Sequence, residues 1–299
     1  VLYVTFPLAI LIELLAPAAL AVWLARRLPV RPGKGGASWL LVGVGVLTFI
    51  GSQVVHLPLN FGLDQLGLIA QDKSLLLRTA IVLGLSAGLC EETARAAGYW
   101  LLKQKARTWR AALTLGAGHG GIESIITGGL VLLGFVNMLI LRDMDLSTLK
   151  LPAEQLALLQ SQMSTYWDLA WHMPFAGAVE RLIAIALHLS LSVLVLQAWT
   201  RRNVLYYLAA VTWHAAVNAV AVTLAVKGWN AWAIEGVLGL TALISLGIVV
   251  AFRHSPYDRE PPAEVLAAPP PPLPVEIQAR GELDVETMRE QIERSKFDH

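Results

Sequence analysis

Glu91, Glu92 and Arg95 stand together in an apolar stretch running from Leu75 to Leu102. Each ionised group at bilayer depth costs roughly 2.5–3.5 kcal/mol even on a lenient insertion scale, so three of them need partners or a task. Three more apolar stretches carry a histidine: His119 in Gly118-His119-Gly120-Gly121-Ile122-Glu123, His188 after Glu180-Arg181, and His214 in His214-Ala215-Ala216-Val217-Asn218. Residues four apart share a helix face, so Glu91 is expected to meet Arg95, His119 to meet Glu123, and His214 to meet Asn218. Glu92 is turned by about 100° from Glu91.

Carboxylates beside imidazoles suit hydrolysis of a peptide bond, which needs a base to activate water, a donor for the oxyanion and an acid for the leaving amine. Glu91 is the candidate base, with Arg95 as counter-charge and Glu92 beside it. His119 is placed to orient the same water or carry its proton, and His214 with Asn218 offers N–H donors to an oxyanion. The water-filled cavity this requires is expected to open to the cytoplasm or the bilayer. The set also admits zinc on Glu91, His119, His188 and His214, with an open position for water. Against zinc, no His-Glu-x-x-His run occurs and no two histidines stand three or four apart, so no cofactor is expected. A proton-coupled transporter and a non-catalytic membrane scaffold are the alternatives from other classes.

The elements that must hold these groups are membrane helices. Of 299 residues, 56% are hydrophobic and 15% charged, with a mean hydropathy of +0.58. Soluble domains average about 25% charged, so an all-α, polytopic bundle in the lipid bilayer is expected. A net charge of +1 gives no nucleic-acid footprint, and the single Cys90 excludes an intrachain disulfide and a cysteine-rich metal site.

Seven stretches are long enough to cross the bilayer: about 2–25, 37–58, 75–102, 111–141, 172–200, 203–226 and 230–252. The first lacks a basic leader and a small-residue cleavage site, so it reads as a retained span. The glycines at 116, 118, 120 and 121 make the start of the fourth stretch the expected place for irregular backbone. Lys and Arg concentrate in alternate connections, placing the N-terminus outside and the tail in the cytoplasm. Helical rise then puts Glu91, His119, His188 and His214 roughly 16, 13, 20 and 18 Å from the cytoplasmic ends, in one layer. Glu180 and Arg181 fall roughly 30 Å away, near the outer face, as a structural pair or a gate. Glu13 reads as a helix-packing contact, while His56 and Arg78 read as interfacial groups that snorkel. A short amphipathic helix is expected around 152–163. The chain thus divides into a seven-span domain, 1–253, with its catalytic core at 75–226, and a Pro-rich linker with charged tail, 254–299.

The ordered run Glu-Glu-x-x-Arg, Gly-His-Gly-Gly-x-Glu, Glu-Arg with a later His, and His-x-x-x-Asn resembles the YhfC family of intramembrane peptidases. More distantly it is similar to the glutamic CAAX prenyl endopeptidases, their bacterial CPBP relatives and the PrsW proteases. The resemblance covers about 75–226 and implies Glu91 as the catalytic glutamate, His119 as its partner, and His214 with Asn218 as the oxyanion pair. Two residues rather than three separate Glu-Glu from Arg, and no Phe precedes His119 at the CAAX spacing. PrsW-like proteins carry a glutamate in this second helix, so the partner role lies between His119 and Glu123. The implied protein is a multi-pass enzyme of a prokaryotic cytoplasmic membrane, acting on a membrane protein or a lipidated peptide.

Overall fold

A computed structural model describes residues 1–27, 36–69, 73–102, 106–253 and 289. Among them the chain is helical: α1 (Leu2–Arg27), α2 (Gly36–Gln65), α3 (Leu76–Leu102), α4 (Trp109–Asp143), α5 (Ala153–Trp167), α6 (Pro174–Arg201), α7 (Leu205–Val226) and α8 (Ala231–Ala251). Val1–Asp258 form one compact unit and Arg259–His299 a second. The Pro-rich linker and charged tail expected from the sequence lie outside the described residues, apart from Arg289.

Local chemistry sets several helix ends. Thr108 caps α4 by accepting from the Ala111 amide, and Asn230 caps α8 by accepting from the Trp232 amide. Pro174 opens α6, where its missing N–H costs nothing. Arg202 closes that helix in the left-handed conformation.

Six helices are long and apolar enough to cross a membrane, namely α1, α2, α4, α6, α7 and α8. α3 has the length, at 27 residues, but Arg78, Glu91, Glu92 and Arg95 set its composition apart. Large apolar side chains such as Leu47, Val54, Leu77, Leu130 and Leu243 stand outward, the inverse of a water-soluble surface. The protein is a multi-pass helical membrane bundle. The short α5, at 15 residues with none buried, is the amphipathic element anticipated between the fourth and fifth spans.

α4 and α6 form the centre, with α4 against α1, α2 and α6, and α6 also against α7 and α8. α3 packs on α2 and α7. The glycines at 116–121 do not break α4, which runs unbroken for 35 residues. They serve close packing instead. A Cβ on Gly118 would lie 2.2 Å from the Val42 carbonyl oxygen, and one on Gly45 would lie 2.2 Å from that of Leu115. On the other flank, a Cβ on Gly84 would lie 2.4 Å from the Ala215 oxygen. Lipid offers no hydrophobic drive for helix association, so small residues at the crossings let backbones approach and gain dispersion contact.

Candidate active site

These close crossings bring the ionisable side chains of α3, α4, α6 and α7 together. Glu92, Arg95 and His119 are fully buried, and Glu91, His188 and His214 nearly so. Arg95 pairs with Glu92 one turn before it, rather than with Glu91 as the four-residue spacing suggests. That choice frees Glu91 for the histidines.

Hydrogen bonding fixes what each imidazole presents. The one hydroxyl hydrogen of Thr48 goes to the Gly45 carbonyl at 2.7 Å. The 2.9 Å contact between Thr48 Oγ1 and His119 is therefore His119 Nδ1–H donating to the hydroxyl. Its other nitrogen, Nε2, hydrogen-bonds with Glu91 Oε2 at 3.1 Å. His214 repeats the pattern: Nδ1–H donates to Glu92 Oε1 at 2.9 Å, and Nε2 lies 3.9 Å from the same Glu91 oxygen. The other oxygen, Glu91 Oε1, accepts from Gln53 Nε2 at 3.4 Å.

His188 differs. Arg95 Nη2 donates to its Nδ1 at 3.0 Å, and a guanidinium cannot accept, so the ring proton sits on Nε2. That Nε2 lies 2.5 Å from Glu123 Oε2. Arg181 Nη1 donates to the other Glu123 oxygen at 3.2 Å and Nη2 donates to Glu180 at 2.5 Å. Glu123 thus belongs with His188 and Arg181, not with His119 on its own helix. Arg181, expected near the outer face, is tied directly into the cluster.

One oxygen of Glu91 thus has two imidazole nitrogens beside it, His119 Nε2 at 3.1 Å and His214 Nε2 at 3.9 Å. Ligand atoms of Glu91, His119 and His188 also lie within 4.8 Å of one another, close enough to share an ion. Zinc bonds of about 2.0–2.2 Å put neighbouring tetrahedral ligands roughly 3.4 Å apart, which the 3.1 Å between His119 and Glu91 matches. Distance alone favours His188 as the second imidazole. Glu123 Oε2 already stands 2.5 Å from His188 Nε2, whereas His214 Nε2 has Glu91 Oε2 as its ion-pair partner at 3.9 Å, which makes His214 the alternative. The donor set therefore fits a metal ion.

A cavity of about 80 Å³ adjoins the cluster, bordered by Glu91, Glu123, Arg181, His188, His214 and Asn218. From the histidine layer it runs to Arg181 and Leu238, early in α6 and α8, the ends of the bundle poorer in Lys and Arg.

Two α2 residues at the site, Thr48 and Gln53, went unrecognised in the sequence. The signal was present, because Thr48, Ser52, His56 and Asn60 recur every fourth residue as a polar stripe on an apolar helix. His56 does not snorkel but faces Gln53 and Ser86. Glu13 is buried against Gly128 and Gly177, where a Cβ would lie 2.9 Å from its own Cβ and 3.1 Å from its Oε1, respectively.

Fold and site together define a polytopic membrane protein with a buried carboxylate–imidazole centre. Residues 12–238 match the family model described as YhfC intramembrane metalloprotease, and the chain belongs to that family. It is 29% identical over 257 residues to a Bacillus subtilis (strain 168) protein named "Uncharacterized membrane protein YhfC", an alignment covering 81% of this chain and 93% of that one. No solved structure matches. The chain is thus a member of an intramembrane protease family. The expectation of a site without a cofactor is not borne out: the family is described as a metalloprotease, and Glu91, His119 and His188 are a group that could hold an ion.

Proposed function

We propose that this protein is a zinc-dependent intramembrane endopeptidase in which Glu91, His119 and His214 hold the ion. The observation that carries the reading is the convergence of His119 Nε2 and His214 Nε2 on one oxygen of Glu91, at 3.1 and 3.9 Å. A carboxylate with two imidazoles is a donor set that suits zinc, and zinc there would supply a Lewis acid that activates water and polarises a peptide carbonyl.

The remaining residues divide the rest of the work. Thr48 and Glu92 grip His119 and His214 through Nδ1, fixing tautomer and ring orientation. Glu123 borders the cavity outside the ligand set, held by Arg181 and His188, and is the base that takes the proton of the attacking water and returns it to the leaving amine. Asn218 also borders the cavity, where its amide N–H donates to the developing oxyanion. Ile183, Leu187, Val217 and Leu238 wall the cavity, keep bulk water out and strengthen each of these interactions. The substrate class is a membrane-embedded polypeptide, because the site lies within helices long enough to span the bilayer.

Metal content and cleavage of a single-span reporter test this together. Wild-type protein in detergent is expected to hold zinc, and Glu91→Gln, His119→Ala and His214→Ala to lose both zinc and cleavage. His188→Gln should keep the metal. Chelation should stop cleavage and added zinc restore it. Full cleavage by metal-free protein would overturn the reading in favour of a glutamic mechanism, with Glu91 itself activating water.

A further inference from the structure

The polar stripe of α2 continues past the residues that serve the ion. Ser86 on α3 donates to Asn60 Oδ1 at 2.7 Å, and Asn60 Nδ2 donates to His56 Nε2 at 3.0 Å. His56 Nδ1–H then donates to Gln53 Oε1 at 3.3 Å, and Gln53 Nε2 to Glu91 Oε1 at 3.4 Å. Every link after Asn60 donates towards Glu91. One unbroken chain of hydrogen bonds therefore joins Asn60 to the proposed ligand.

The far end of this chain borders an open groove of about 250 Å³, walled by Leu83 and Ala87 of α3 and by Ala221 and Val222 of α7. Asn218 and Ala221 border both the groove and the active cavity, so the two spaces meet there. The cavity of about 80 Å³ admits water beside the ionisable groups, and the groove, at about 250 Å³, is the roomier of the two spaces. His56 lies about 13 Å from the end of α2 and Ser86 about 15 Å from the start of α3, at hydrocarbon depth, where polar side chains face a pathway or a partner.

A membrane helix presented for cleavage must unwind around the scissile bond, and its freed N–H and C=O groups find no partners in lipid. Resting on the peptidase reading above, we propose that the groove between α2, α3 and α7 is a substrate subsite that receives the unwound stretch of a transmembrane polypeptide beside the scissile bond. Asn60 borders the groove and spends one of its two Nδ2 hydrogens on His56, so the other is the donor offered to an unwound backbone carbonyl, with His56 and Ser86 holding the amide in place. Asn218, at the junction, is reached by the carbonyl about to be attacked.

The test uses full-length protein in phosphatidylcholine vesicles with a single-span polyleucine reporter. Asn60→Leu removes a polar partner, and Leu83→Trp fills the groove while leaving every polar group in place. Each is expected to raise KM about tenfold with kcat within about twofold, and to keep the zinc content and melting temperature of the wild type. An unchanged KM in both, or a fall in kcat alone, overturns the subsite and leaves the peptidase reading standing. A wild-type protein that cuts no reporter, or a Glu91→Gln protein that still does, removes the peptidase reading and the subsite with it.

Discussion

The two ends of the bundle are built differently. Towards the Lys- and Arg-rich end, Ala111, Ala112, Leu115, Leu191, Val195 and Leu196 are fully buried, and Tyr99 donating to the Ser192 carbonyl and Trp109 Nε1 donating to the Val249 carbonyl, both at 2.9 Å, tie the helices there. Towards the other end the helices enclose a cavity, an open groove and the charged groups Glu123, Glu180 and Arg181. Glu13 and Glu235 add buried carboxyl oxygens without hydrogen-bond partners. A close-packed apolar floor excludes water, whereas a polar cavity admits it. Among the described residues the cavity thus meets the ionisable layer from the Lys- and Arg-poor end, an arrangement in which water reaches the layer without a continuous aqueous pore.

Thiol labelling tests that contrast most sharply, in a Cys90→Ser background. Ala184→Cys borders the cavity and should react completely with a membrane-impermeant reagent added at the Lys- and Arg-poor face. Ser192→Cys lies two turns further along α6, is fully buried, and should not react from either face. Equal labelling at both positions would remove the distinction between floor and cavity.

A smaller effect is expected where the floor meets the site. Thr48→Val deletes the acceptor that fixes His119, and loss of such an orienting partner typically costs about 10–100-fold in metal affinity or activity. Competition with a chromogenic chelator measures it. An unaltered affinity would mean that packing alone orients the ring.

Packing gives the smallest differences, and they run along one helix. Gly118→Ala forces a methyl against the Val42 backbone and should destabilise the protein by about 1–3 kcal/mol. Gly129→Ala points into open space within the same helix and should stay within about 0.5 kcal/mol of the wild type. Thermal denaturation in detergent compares the two. Similar melting temperatures would show that α2 and α4 separate more easily than their contact implies.

Much of the site was legible because charge in an apolar helix is rare and helical rise is constant. Glu91, His119, His188 and His214 could be set at one depth from residue counts alone, and they do meet. Pairing was less legible. Glu91 with Arg95 and His119 with Glu123 follow from spacing on one helix, yet Arg95 took Glu92, His119 took Glu91, and Glu123 took His188 and Arg181. A neighbour across a helix crossing competes with one on the same helix, and a single helix contains no information about that competitor. Glycines around His119 marked close approach correctly and backbone irregularity wrongly, because a residue without a side chain serves either purpose until its neighbour is known.

The sequence by itself determined the class of molecule and the layer of ionisable groups, since hydropathy and helical geometry act along the chain and need no knowledge of contacts. Tertiary structure alone decided which partner each nitrogen of His119, His188 and His214 faces, that Thr48 and Gln53 belong to the site, and towards which end the cavity runs. Those depend on hydrogen-bond directions between helices distant in sequence, and a proton is assigned only when both of its possible partners are in place.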